Sequence, residues 1–78
     1  MFSIGDKVEI IIDKSQLNEI LKTNNELRDE IMKCYNVKIG TIIDKFLPNN
    51  IINEPYYCLD IVENILWKES ELKLVNGE

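Results

Sequence analysis

The sequence predicts an α+β domain in which one helical stretch interrupts a series of short strands. Two observations carry this. Apolar residues alternate with period two near both ends, as in Lys7-Val8-Glu9-Ile10 and Tyr57-Cys58-Leu59-Asp60-Ile61. Between them, residues 14–35 change to a helical period, with Leu17, Ile20, Leu21, Leu27, Ile31, Cys34 and Tyr35 on one stripe. At 78 residues the chain is long enough for one domain. A domain of that size buries only about 60% of its unfolded surface, so its core is modest.

The elements follow in order. Gly5-Asp6 is a turn signal, and residues 7–12 form the first strand. Ile11 breaks the polar alternation, which implies cover on both faces of that strand. Asp13 or Ser15 caps the helical segment 14–35, with Gln16 in capping-box position after Asp13. Thr23-Asn24-Asn25 are weak helix formers, so the segment is one kinked helix or two short ones. Asn24 or Asn25 is placed to cap a second helix, and Asn36 to provide a left-handed stop.

Residues 37–47 read as the second strand. Val37, Ile39, Thr41 and Ile43 share one face, and Gly40, Ile42 and Asp44 share the other. Gly40 marks a bulge or a sharp bend. A loop from Pro48 to Pro55 follows, with Ile51-Ile52 as an apolar pair inside it. The third strand spans 56–62 and the fourth 65–68, with Glu63-Asn64 as the tight hairpin turn between them. Glu69 to Leu72 makes a single 3₁₀ turn, 73–75 a closing strand, and Asn76-Gly77-Glu78 a frayed tail.

The order Gly5-Asp6-Lys7-Val8, then Gly40-Thr41-Ile42-Ile43, then Tyr57-Cys58-Leu59, then Trp67-Lys68-Glu69-Ser70-Glu71-Leu72 resembles the small SH3-like β-barrel proteins of bacteria and phages. The likeness covers about two-thirds of the chain and rests on the order of short motifs. It implies a small antiparallel β-barrel of about five strands, closed around Val8, Ile42, Leu59 and Trp67, with the helical segment as an insertion between the first two strands. It also implies a binding or scaffolding role. Such barrels recur among phage and mobile-element accessory proteins, so an inhibitor of a host nuclease or defence complex is the sharpest form of that expectation.

Elementary chemistry narrows the function classes. The chain contains no histidine, which removes the commonest general base and metal ligand. Cys34 and Cys58 are far apart and cannot close a zinc site without further ligands. The three glycines are isolated, so there is no phosphate-cradling loop. We therefore expect no catalysis, no metal and no cofactor. The cysteines sit in apolar contexts and read as buried reduced thiols. No signal peptide is visible, and the apolar runs are too short to span a bilayer, so the expected location is the cytoplasm, that of a host if the gene is phage-borne.

Net charge is −5, and residues 44–78 carry −4 of it. This opposes binding to a phosphate backbone. A nucleic-acid-binding barrel is the alternative, and it requires Lys7, Lys14, Lys22, Arg28, Lys33, Lys38 and Lys45 to gather on one side. The favoured partner is another protein, met through acidic and aromatic groups: Asp60, Glu63, Glu69, Glu71 and Tyr56, with Glu26, Asp29 and Glu30 on the helical segment. These acids either mimic nucleic acid or only confer solubility. Tyr56, Tyr57 and Trp67 read either as an aromatic peptide groove or as core. The helical stripe either covers the barrel end or pairs two copies as a homodimer.

Overall fold

The computed structural model describes residues 1–75; the expected frayed tail lies outside them. Five strands are present: β1 (Lys7–Ile10), β2 (Ile39–Phe46), β3 (Tyr56–Leu59), β4 (Val62–Lys68) and β5 (Leu72–Leu74). Two helices, α1 (Lys14–Thr23) and α2 (Arg28–Val37), stand between β1 and β2. The strands form one antiparallel sheet in the order β4-β3-β2-β1-β5. β2 is its spine. Ile39 to Thr41 pair with β1, and the second half from Ile42 pairs with β3.

The closed barrel expected from the sequence is not formed: β4 and β5 are the two edges and do not pair with each other. A 3₁₀ turn, Glu69–Glu71, separates the two strands, and a carboxylate oxygen of Glu71 accepts the backbone N–H of Lys68 at 2.8 Å. α2 packs against β4.

Local chemistry explains the helices. Asp13 caps α1: its carboxylate accepts the Gln16 N–H at 2.8 Å, and the Gln16 side chain accepts the Asp13 N–H at 3.0 Å. α1 ends at Thr23, where the Asn24 side chain donates to the Ile20 carbonyl at 3.0 Å. Asn24 thus closes the first helix and gives α2 no side-chain cap. A 3₁₀ turn, Asn25–Leu27, joins two helices rather than one kinked rod. Asp29 and Glu30 lie in the first turn of α2, where the helix dipole favours negative charge. The left-handed stop falls on Lys38, with φ 70°, and not on Asn36. The Lys38 ammonium sits 3.9 Å from the Tyr35 ring centre, an attraction that accompanies this strained position.

The strands also differ in detail. The β3–β4 turn lies at Asp60-Ile61, not at Glu63-Asn64, so β4 begins at Val62. Asp60 makes that turn by accepting the Thr41 N–H on its side chain and donating its own N–H to the Thr41 carbonyl, both at 3.0 Å. The bulge in β2 falls between Ile42 and Asp44 rather than at Gly40. Gly40 is instead a close-approach site: a Cβ there would lie 2.9 Å from the Ile61 side chain. β1 ends at Ile10, and Ile11 is exposed rather than covered on both faces.

The core joins both layers. Val8, Ile10, Ile42, Tyr57, Leu59, Ile65 and Trp67 come from the sheet, and Leu17, Leu21, Ile31 and Cys34 from the helices. Register explains the selection: Tyr57 is opposite Trp67, so both rings enter the same face.

Candidate functional site

The candidate surface lies around β4. Register places Phe46, Tyr56 and Lys68 side by side across three strands, and Cys58 beside Leu66. These side chains share the sheet face opposite to Tyr57 and Trp67. Phe46 is 43% exposed, Leu66 50%, and Leu47 and Ile51 of the following loop are more exposed still. Phe46, Leu47, Ile52, Tyr56 and Leu66 line a hollow of about 650 Å³.

A second hollow, of about 450 Å³, adjoins it. Its floor is β4 from Asn64 to Lys68, and its wall is helical, with Ile20, Thr23, Leu27 and Ile31. Tyr56 and Leu66 line both hollows, so the two form one continuous surface. Glu71 stands at one end of the second hollow.

The residues expected from sequence fall into three groups. Tyr56 is half-buried on this surface, and Glu71 belongs to it as well. Asp60 and Glu69 are tied into the fold. Asp60 holds the β3–β4 turn, and Glu69 accepts the Tyr57 hydroxyl at 2.8 Å. Glu63 is exposed at the start of β4, where its carbonyl faces the Cys58 thiol. Glu26, Asp29 and Glu30 sit on the helical layer and line neither hollow. Of these acids, only Glu71 lines either hollow. Tyr57 and Trp67 are core side chains, 0% and 1% exposed, not walls of an aromatic groove.

The surface residues that sequence reasoning missed are Phe46, Leu47 and Leu66, whereas Ile20 and Leu27 belong to the helical stripe already singled out. One signal pointed to Leu66. Ile65-Leu66-Trp67 is an uninterrupted apolar run, and period two requires such a run to present apolar groups to both faces of a strand.

Three titratable groups are perturbed, each chiefly by burial. Burial pushes the Tyr57 hydroxyl up, and its hydrogen bond to Glu69 adds to the rise. Burial raises Cys58, helped by the nearby charges of Asp44 and Glu63. Burial raises Cys34, against smaller opposing pulls from Lys33 and from the Trp67 indole. Trp67 Nε1 is a buried donor that makes no hydrogen bond among the described residues.

The sign of the linkage follows. An acid whose folded pKa is raised keeps its proton in the fold after the unfolded chain has lost it. Stability is then full below the unfolded pKa and declines as pH rises through the folded one. The decline should begin near pH ~8.5, where unfolded thiols ionise, and steepen near pH ~10 with tyrosine. Thermal midpoints measured across alkaline pH check this. Tyr57→Phe should flatten the upper part of the decline. It should also cost about 1–3 kcal/mol at neutral pH, because the hydroxyl both donates to Glu69 and accepts the Phe2 N–H at 3.0 Å.

No group of three or more His, Cys, Asp or Glu able to hold a metal occurs among the described residues. No helix among them is long and apolar enough to cross a membrane. Comparison with known proteins finds no family model, no curated protein and no solved structure that matches this chain.

Proposed function

We propose that this chain is a non-enzymatic protein-interaction module that engages its partner through the surface around β4. The observation that carries the reading is the continuity of the two hollows through Tyr56 and Leu66, with Phe46, Leu47 and Ile51 exposed alongside. Contiguous exposed apolar groups on a small domain mark interaction sites. We further propose an SH3-like relationship, opened at the β4–β5 seam. Its support is the five antiparallel strands, the helical segment between the first two, and the 3₁₀ turn before the last.

Charge supports a protein partner over nucleic acid. The net charge is −5, and two of the bases a nucleic-acid face would need are engaged within the chain. Lys38 lies over Tyr35, and Lys45 donates to the Phe2 carbonyl at 3.3 Å. The sharper form, a phage-encoded inhibitor of a host nuclease or defence complex, rests on the SH3-like resemblance together with the acidic balance.

The test is a paired substitution, Phe46→Ser with Leu66→Asp. Both side chains are exposed, so the variant should keep the wild-type circular dichroism and melt within a few degrees of it. A partner retained by wild-type protein, identified by mass spectrometry, should lose at least tenfold in affinity for the variant. Equal affinity for a well-folded variant would refute the assignment of this surface.

A further inference from the structure

We propose that the outer edge of β4 accepts an extended segment of a partner protein as a sixth strand. This deepens the reading of the β4 surface and rests on it. The argument begins with one backbone bond. The Glu69 N–H donates to the Pro55 carbonyl at 3.1 Å, so Pro55 and Glu69 are opposed as a hydrogen-bonded pair. Bonded and non-bonded pairs alternate along an antiparallel ladder. Tyr56 and Lys68 are therefore a non-bonded pair, Tyr57 and Trp67 a bonded pair, and Cys58 and Leu66 again a non-bonded one. The N–H and C=O of Leu66 and Lys68 thus point away from β3, toward the open edge.

The Lys68 N–H is taken by the Glu71 carboxylate at 2.8 Å, in the place where a neighbouring strand would offer a carbonyl. Glu71 acts as an end-stop. The outward N–H and C=O of Leu66 meet no partner among the described residues. They open beside the helical hollow, whose floor includes Leu66. Natural sheets blunt their edges with short strands, proline or charge. β4 carries Glu63 and Lys68 toward its ends and a bulge between Val62 and Leu66, but it has no proline, and the stretch Ile65-Leu66-Trp67 is apolar. A bare edge of this kind is matched by another extended backbone.

The hollow and the charge favour a peptide over a second copy. The edge is recessed beside a wall made by Ile20, Leu27 and Ile31. An extended chain paired with the edge can place its side chains in the hollow along that wall. Two copies would each bring a charge of −5. Side-chain directions set the chemistry of the occupant. Partner residues beside Ile65 and Trp67 point toward the helical wall and should be apolar. The residue between them lies beside Leu66 and Tyr56 on the opposite face. The expected occupant is an apolar-x-apolar segment with neutral or basic flanks.

Panning displayed random peptides against the full chain tests this. Enriched peptides should carry the apolar-x-apolar pattern, and their binding should slow hydrogen exchange at the Leu66 amide. N-methylation of the one peptide amide that meets the Leu66 carbonyl should weaken binding about tenfold, and methylation of the next amide should leave it unchanged. An equal response at both amides overturns strand addition. A footprint on Phe46 and Leu47 without slowing at Leu66 overturns it too, and leaves the broader interaction reading standing. Failure to enrich any peptide also overturns it; the paired substitution then decides the broader reading separately.

Discussion

Trp67→Ala should produce the largest stability loss of any single substitution in the core and a strong fall in the urea midpoint. Trp67 is 1% exposed, the largest fully buried side chain of the core, and lies opposite Tyr57. Truncating a buried aromatic to alanine costs about 3–5 kcal/mol, because the neighbours relax only partly into the space left. A chain of 78 residues has a total stability of about 4–12 kcal/mol. The loss is therefore at least a quarter of what holds the fold, and nearly all of it at the low end of that range. Trp67→Phe should be milder for two reasons. It keeps a ring against Tyr57, and it removes the unpartnered indole N–H, whose burial itself costs about 1–3 kcal/mol. Urea titration followed by circular dichroism measures both variants. A Trp67→Ala midpoint close to wild type would mean that the indole is not a central packing element.

The legible part of the fold was the part written in period. Val8 and Ile10 alternate with polar groups, and both are buried on β1. Leu17, Leu21, Ile31 and Cys34 recur at helical spacing, and all four reach the core. The Asp13 and Gln16 capping box was equally plain, since it needs only two side chains at the right offset. Turns were harder, because tertiary contacts overrode local preference. Glu63-Asn64 had better turn chemistry than Asp60-Ile61. The turn settles on the latter because Asp60 bonds twice to Thr41 and Ile61 packs on Gly40, partners far away in sequence. Closure was illegible for a similar reason. Motif order says which strands exist, but not whether β4 meets β5: the Lys68 N–H is taken by Glu71, and β5 pairs with β1 alone. The candidate surface was hidden by attention to charge. Asp60 and Glu69 were visible as acids, yet both are held by the fold, while Phe46 and Leu66 drew no notice as ordinary strand residues.

Ile31→Ala should cost about 2–5 kcal/mol and decides whether the helices belong to the same cooperative unit as the sheet. Ile31 is 2% exposed, closes the first turn of α2, and joins the helical wall to the core. Few other residues of α2 do this: Cys34 is its only other buried side chain, and Met32 and Tyr35 are only partly buried. Removing Ile31 therefore weakens the main apolar link between α2 and β4. If helices and sheet unfold together, the urea midpoint falls while the slope of the transition stays unchanged, because the slope follows the surface exposed on unfolding. A shallower slope, or a first transition in which helical signal is lost before the sheet, would mean that the helical layer detaches alone. That outcome would also bear on the β4 edge. The wall that favours an extended segment would then be mobile. A single transition with unchanged slope makes the wall as durable as the core, and places the choice of partner in the rigid part of the molecule.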